Sequence, residues 1–151
     1  MRHKGFTLVE LVVVLAIVGV LAAILVPLLI GYVRKSRLKT ANANAKSVYN
    51  VVAEYVVEED TKGNSIDWSK AAGTYSGTTT TTGLDDTIAE KVHAVLGPNG
   101  NEAGEAYIAM HMFGTTEGFY VHWRKAEDSV IGQYPEAIQF TDDTVEWTSF
   151  Y

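Results

Sequence analysis

The chain has no cysteine, which excludes a disulfide framework and any thiolate metal site. Its three prolines stand at Pro27, Pro98 and Pro135, and neither Gly nor Pro falls between Val33 and Asp60, so nothing in that stretch breaks a helix. Ser, His and Asp residues are scattered without a nucleophile motif, and there is no P-loop and no Gly-rich dinucleotide fingerprint; no catalytic residue and no cofactor are expected. Basic residues are scarce in the larger part of the chain. From Ser47 onward there are 17 acidic residues against 5 basic ones, a sign of charge that argues against binding nucleic acid directly.

Charge is also missing from Leu11 to Val33, 23 residues in a row. As a helix rising about 1.5 Å per residue this run covers roughly 35 Å, enough for a hydrocarbon core of about 30 Å. With 151 residues in all, one membrane segment plus one small domain is the natural partition. Glu10 sits at the mouth of the run, and an ionisable group there reads as functional, with a partner. Pro27 has no N–H and crowds the carbonyl of Ala23, while Gly19 adds backbone freedom. The apolar helix is therefore expected to weaken between Gly19 and Pro27. Directly after the run come Arg34, Lys35, Arg37, Lys39 and Lys46, with no acid among them. Counted naively, this collar favours a cytoplasmic C-terminus. It suits either acidic residues of another copy or anionic headgroups, both salt-sensitive contacts.

Beyond the collar, Leu38, Ala41, Ala45, Val48, Val52 and Tyr55/Val56 recur at steps of three and four, one face of an amphipathic helix. Lys39, Asn42, Lys46, Asn50 and Glu54 lie elsewhere on it. One helix from about Phe6 to Glu59 is expected, its second half (34–59) covered by the rest of the chain. Residues 60–104 read as loop with a short helix. Gly63-Asn64 is a turn signal, and the Thr78–Thr82 tract an exposed loop or short edge strand that could carry O-linked sugar. The short helix runs from Asp86-Thr87 to Leu96, with Thr87 and Glu90 as a capping box and Gly97-Pro98 as its stop. Residues 105–151 alternate as strands: Ala106 to Phe113, Phe119 to Arg124, then a hairpin of Ala137–Phe140 and Thr144–Tyr151. The sum is α+β: a long N-terminal helix packed on a small antiparallel sheet.

His111 and His122 are expected to face each other on the exposed side of the first hairpin as a solvated cross-strand pair; two imidazoles without a third ligand make a weak metal site, and no metal is assigned. Asp85-Asp86, Asp142-Asp143 and Asn99/Asn101/Glu102/Glu105 offer oxygen ligands, with no spacing that matches an EF-hand loop.

Lys4-Gly5-Phe6-Thr7-Leu8-Val9-Glu10, followed by the long Val/Leu/Ile/Ala run and Pro27, resembles the class III signal peptide of bacterial type IV pilins and of the pseudopilins of type II secretion and competence systems. The likeness covers residues 1 to about 30 closely, the helix to about Glu59 in pattern, and the remainder hardly at all. It implies a leader over residues 1–5, cleavage between Gly5 and Phe6 by a prepilin peptidase, N-methylation of Phe6, and a retained assembly helix over 6–33 below a head spanning 34–151. It implies assembly roles for Thr7, Glu10, Gly19 and Pro27, with Glu10 meeting the N-terminal amine of a neighbouring subunit. It also implies the leader inside and the head outside, the reverse of the naive charge count. The expected protein is a single-pass membrane precursor that polymerises with its own kind, and with other pilins on a membrane platform, into a surface filament serving adhesion, motility or DNA uptake. A pseudopilin is the alternative within the resemblance, and a non-assembling membrane-anchored binding domain the alternative outside it. The absence of cysteine departs from the C-terminal disulfide loop of many diderm pilins.

Overall fold

The computed structural model describes residues 5–76, 86–96, 104–139 and 145–148. The threonine tract, the oxygen ligands at Asp85, Asn99, Asn101, Glu102 and Asp142-Asp143, and most of the expected C-terminal hairpin lie outside the described residues. The elements are α1 (Leu8–Thr61), α2 (Trp68–Ala71), β1 (Gly73–Ser76), α3 (Asp86–Leu96), β2 (Glu105–Phe113), β3 (Thr116–Arg124) and β4 (Gly132–Tyr134). The chain divides into two compact units, Met1–Ser36 and Arg37–Tyr151.

The first unit contains the start of α1. The helix persists through Pro27, although that residue cannot donate to the carbonyl one turn back. Its apolar side chains, from Leu8 through Val33, are all exposed. α1 is long and apolar enough to cross a membrane by length and composition.

The second unit is the α+β head. Leu38, Ala41, Ala45, Val48 and Val52 are buried along α1, the stripe expected from their spacing. Ala41, Ala45, Val48 and Val52 share one core with Ile108, Phe119, Val121 and Trp123 of the sheet and Ile88, Val92 and Leu96 of α3. Tyr49 stacks on Phe119 with ring centroids 4.3 Å apart, and Trp68 also stacks on Phe119, at 5.3 Å. The sheet has four strands in the order β1-β2-β3-β4, every pair antiparallel.

Three expectations need correction. Residues 60–84 are not simply loop: α2 and the edge strand β1 lie within them, and β1 precedes the threonine tract. α3 begins at Asp86, which puts Thr87 in the first turn rather than at the cap. The fourth strand is Gly132–Tyr134, earlier than expected, while Ala137–Gln139 and Val145–Thr148 form no strand. Contacts with α1 place β4. A Cβ on Gly132 would come within 2.0 Å of the Ala41 carbonyl carbon and 2.3 Å of both the Ala41 oxygen and the Asn42 nitrogen, so only glycine lets the strand approach the helix backbone this closely. Next to it, the Gln133 N–H donates to Asn42 Oδ1 at 2.9 Å, and Asn42 Nδ2 donates to the Ile138 carbonyl at 2.9 Å. One polar side chain on α1 thus ties down both β4 and the segment after it.

Candidate processing and assembly site

The residues singled out near the N-terminus lie at the mouth of α1. Gly5 and Phe6 precede the helix in non-helical conformation. Among the described residues, no atom beyond its chain neighbours lies within 4 Å of a Cβ built on Gly5, and Phe6 is 82% exposed. Thr7 is the cap. Its N–H donates to Glu10 Oε2 at 2.9 Å and its hydroxyl to the same oxygen at 2.8 Å, while the Glu10 N–H donates to Thr7 Oγ1 at 3.3 Å. Cap and third helical residue thus satisfy each other's orphan donors in a reciprocal capping box. The carboxylate also lies at the positive end of the helix macrodipole, which favours it there.

The signal for this box, Thr-x-x-Glu just before an apolar run, stands in the sequence at Thr7 and Glu10. Sequence reading applied it only to Thr87 and Glu90. The box leaves Glu10 Oε1 to accept from a further donor. Cleavage between Gly5 and Phe6 would place an α-amino cation next to Thr7, one residue from that carboxylate's hydrogen bonds. The structure therefore brings Gly5, Phe6, Thr7 and Glu10 together. Gly19 and Pro27 lie further along α1, where the backbone remains helical and no atom lies within 4 Å of a Cβ on Gly19.

His111 and His122 are not a pair. The register sets His122 opposite Tyr107 and His111 opposite Gly118, and Tyr120 lies between them with its ring 6.1 Å from His111 and 5.1 Å from His122. Nor is His122 solvated: it is fully buried. Its Nδ1 lies 2.8 Å from the Trp147 carbonyl oxygen and its Nε2 2.7 Å from Gln133 Oε1, so both ring nitrogens are occupied by protein. A segment 25 positions downstream covers this face of the sheet. Tyr120 donates to the Thr148 carbonyl at 3.1 Å, and burial together with Tyr107 pushes its phenol up to about 12. At the edge, Arg124 joins Glu105 Oε2 at 2.7 Å and stacks 4.2 Å over the Trp147 ring. Among the described residues no group of three His, Asp or Glu side chains is placed to hold a metal ion.

Two comparisons locate the likeness to known proteins. The family described as the prokaryotic N-terminal methylation motif matches residues 1–26. Among curated proteins, the type IV major pilin protein PilA of Myxococcus xanthus is 41% identical over 59 residues, 39% of this chain and 27% of that one. Fimbrial protein EcpC of Eikenella corrodens is 46% identical over 53 residues, 35% of each chain. The type IV major pilin protein PilE1 of Neisseria gonorrhoeae is 42% identical over 53 residues, 35% of this chain and 32% of that one. The matched part spans about a quarter to a third of the length of these relatives. No solved structure matches the chain. The likeness is thus to type IV pilins, proteins of structural rather than enzymatic kind, and it rests on the N-terminal segment that carries the capping box and the apolar helix.

Proposed function

We propose, from an N-terminal segment that carries the prokaryotic methylation motif and resembles that of type IV pilins, that this chain is a structural subunit of a type IV pilus-like filament. The carrying observation is that match over residues 1–26, at the start of a helix whose apolar side chains from Leu8 to Val33 are all exposed. An exposed surface of this kind needs lipid or other copies of the same helix to cover it. A prepilin peptidase cuts between Gly5 and Phe6, the precursor is held in the bilayer by residues 6–33, and Phe6 is methylated. Copies then leave the bilayer on a membrane platform and polymerise into a surface filament. A head-to-tail interface that does not close gives an open fibre of this type.

Glu10 has two tasks in this scheme. Oε2 caps the helix through Thr7, and Oε1 receives the N-terminal amine of a neighbouring subunit. Such a charge can leave water only with a partner, which makes the pairing a check on axial register. Gly19 and Pro27 bound the stretch that loses its helix when the subunit enters the fibre. The uses of such a filament are adhesion, motility or DNA uptake.

The test is the intact mass and N-terminal sequence of the chain in material sheared from the native cell surface. A polymer beginning at methylated Phe6 is the expected result. A chain that still carries Met1 to Gly5, or one that begins near Ala23, would overturn the reading.

A further inference from the structure

We infer that His122 is a pH-sensitive latch, which holds the strap of residues 145–148 on the sheet while its ring carries two protons and releases it when one is lost. The inference is independent of the filament reading. His122 is fully buried. Its Nδ1 faces the Trp147 carbonyl oxygen at 2.8 Å and its Nε2 faces Gln133 Oε1 at 2.7 Å. A neutral imidazole has one donor and one acceptor nitrogen, whereas a carbonyl oxygen only accepts. Both partners are served together only by the imidazolium, which offers an N–H to each. Gln133 cannot turn its amide over to supply the missing donor. Its Nε2 already donates to the Glu136 carbonyl at 2.9 Å and to the Pro135 carbonyl at 3.3 Å. Turned over, Oε1 would face these two acceptors instead.

The two contacts do not share the loss of a proton equally. Gln133 is buried, fixed by those two carbonyls, and its backbone N–H donates to Asn42 Oδ1 of α1. Trp147 belongs to a segment that forms no strand. Besides His122, that segment meets the sheet through the bond from Tyr120 to the Thr148 carbonyl and through Arg124 over the Trp147 ring. A neutral ring therefore keeps its Nε2 proton on Gln133 and turns a bare Nδ1 lone pair on the Trp147 oxygen, which repels, and the strap yields. The closed strap binds the second proton more firmly than the open one, so closure is favoured at low pH and lost as pH rises. Burial opposes the charge, and two charge-assisted bonds are set against that cost. The rings around His122 are Tyr107 of β2, Tyr120 of β3 and Trp147 of the strap, with centroids at 6.5, 5.1 and 6.2 Å. Tyr120, its phenol pushed up to about 12, stays neutral at ordinary pH. Further out lie His111, 6.1 Å from Tyr120, the Arg124–Glu105 pair, and Glu146 beside Trp147 in the strap. Both ring nitrogens face carbonyl oxygens rather than a carboxylate, so the second proton is not locked in by an ion pair.

The test is a magnetic-resonance titration of the full, isotope-labelled chain in detergent from about pH 5 to about pH 9, which spans ordinary imidazole titration. Histidine ring nitrogen spectra read the proton on each nitrogen, and the backbone signals of Glu146, Trp147 and Thr148 read the strap. At the acid end both nitrogens of His122 are expected to carry protons. As pH rises, the Nδ1 proton is lost, the Nε2 proton stays, and the three strap signals move in step with that loss. The open fraction of the strap grows about tenfold, while the signals of β2 and α3 hold. A ring that is neutral at the acid end overturns the inference. So does a ring that titrates while the strap stays still, one that keeps both protons to the alkaline end, or a head whose signals are all lost together. His122→Gln offers an amide donor at every pH and is expected to abolish the response of the strap; a response that survives belongs to another group and also overturns the inference. If that variant does not fold, the titration of the unmodified chain decides by itself.

Discussion

Replacing Gly132 with alanine tests how the head is closed. The added methyl would meet backbone atoms of Ala41 and Asn42 at 2.0 to 2.3 Å, more than an ångström inside ordinary carbon contact distances of about 3.5 Å. Those atoms belong to a helix and cannot swing aside as a side-chain tip would. β4 must therefore retreat from α1, and overpacking of this sort costs about 1–3 kcal/mol. The retreat also stretches the bonds from Gln133 to Asn42 and from Asn42 to Ile138, both 2.9 Å, each contributing about 0.5–1.5 kcal/mol. Together the loss is about 2–6 kcal/mol, a large share of a typical total of about 5–15 kcal/mol. For a unit of this size it corresponds to roughly 8–24 °C in Tm. The assay is thermal unfolding of the full chain in detergent, followed by near-ultraviolet circular dichroism, with Ala43→Gly as a surface comparison in the same helix. A Gly132→Ala protein that melts within about 2 °C of the parent, equivalent to roughly 0.5 kcal/mol, would refute the close-approach argument.

Four further outcomes are expected. Glu10→Gln keeps a capping-box partner for Thr7 but removes the charge, so it should retain membrane insertion and processing while losing filaments; undiminished filament yield in the sheared fraction would reduce Glu10 to a cap. Thr7→Ala costs the helix start about 1 kcal/mol and should weaken assembly less than Glu10→Gln does, measured by the same yield. His122→Leu leaves the Trp147 carbonyl and Gln133 Oε1 without their partner and should destabilise the head by on the order of 3 kcal/mol, while added Zn²⁺ leaves the parent's Tm unchanged because both ring nitrogens are already engaged. For Tyr120, burial raises the phenol from 10.0 to about 12; the stability it contributes is present in full below pH 10 and is lost as pH rises from about 10 to 12, so unfolding followed from pH 9 to 12 should show a decline that Tyr120→Phe diminishes.

Charged contacts also tie the end of α1 into the head. Glu58 is held below the usual carboxylate range by its hydrogen bonds to Lys91 and Lys62, and Glu59 by Lys62 and Asn64. These contacts join the end of α1 to α3 and to the turn at Gly63, whose φ of +78° places it in the left-handed region. Their stabilisation is present above the ordinary glutamate value of 4.5 and disappears as pH falls below it. They are exposed contacts, which salt screens.

What lay open in the sequence is whatever depends on neighbours a few positions apart. The 3.6-residue period predicted the buried stripe of α1 from Leu38 to Val52, and an uninterrupted apolar run predicted its exposed beginning, because helical hydrogen bonds and faces are set within four residues. α3 and the hairpin of β2 and β3 were legible for the same reason, as was the N-terminal motif through Glu10. Even the Thr7–Glu10 box was there to be read, being a contact across three positions. The tertiary structure alone decided the rest. Gln133 meets Asn42 across 91 positions and Ile138 meets it across 96, and no local period reports a glycine that must touch a helix backbone that far away. Likewise His122 alternates like an outward-facing strand residue, and it is buried because Trp147 returns 25 positions later to cover it. Strand identity and the burial of a sheet's second face are settled by which distant segment packs there, through shape and hydrogen-bond satisfaction that only the folded chain brings together.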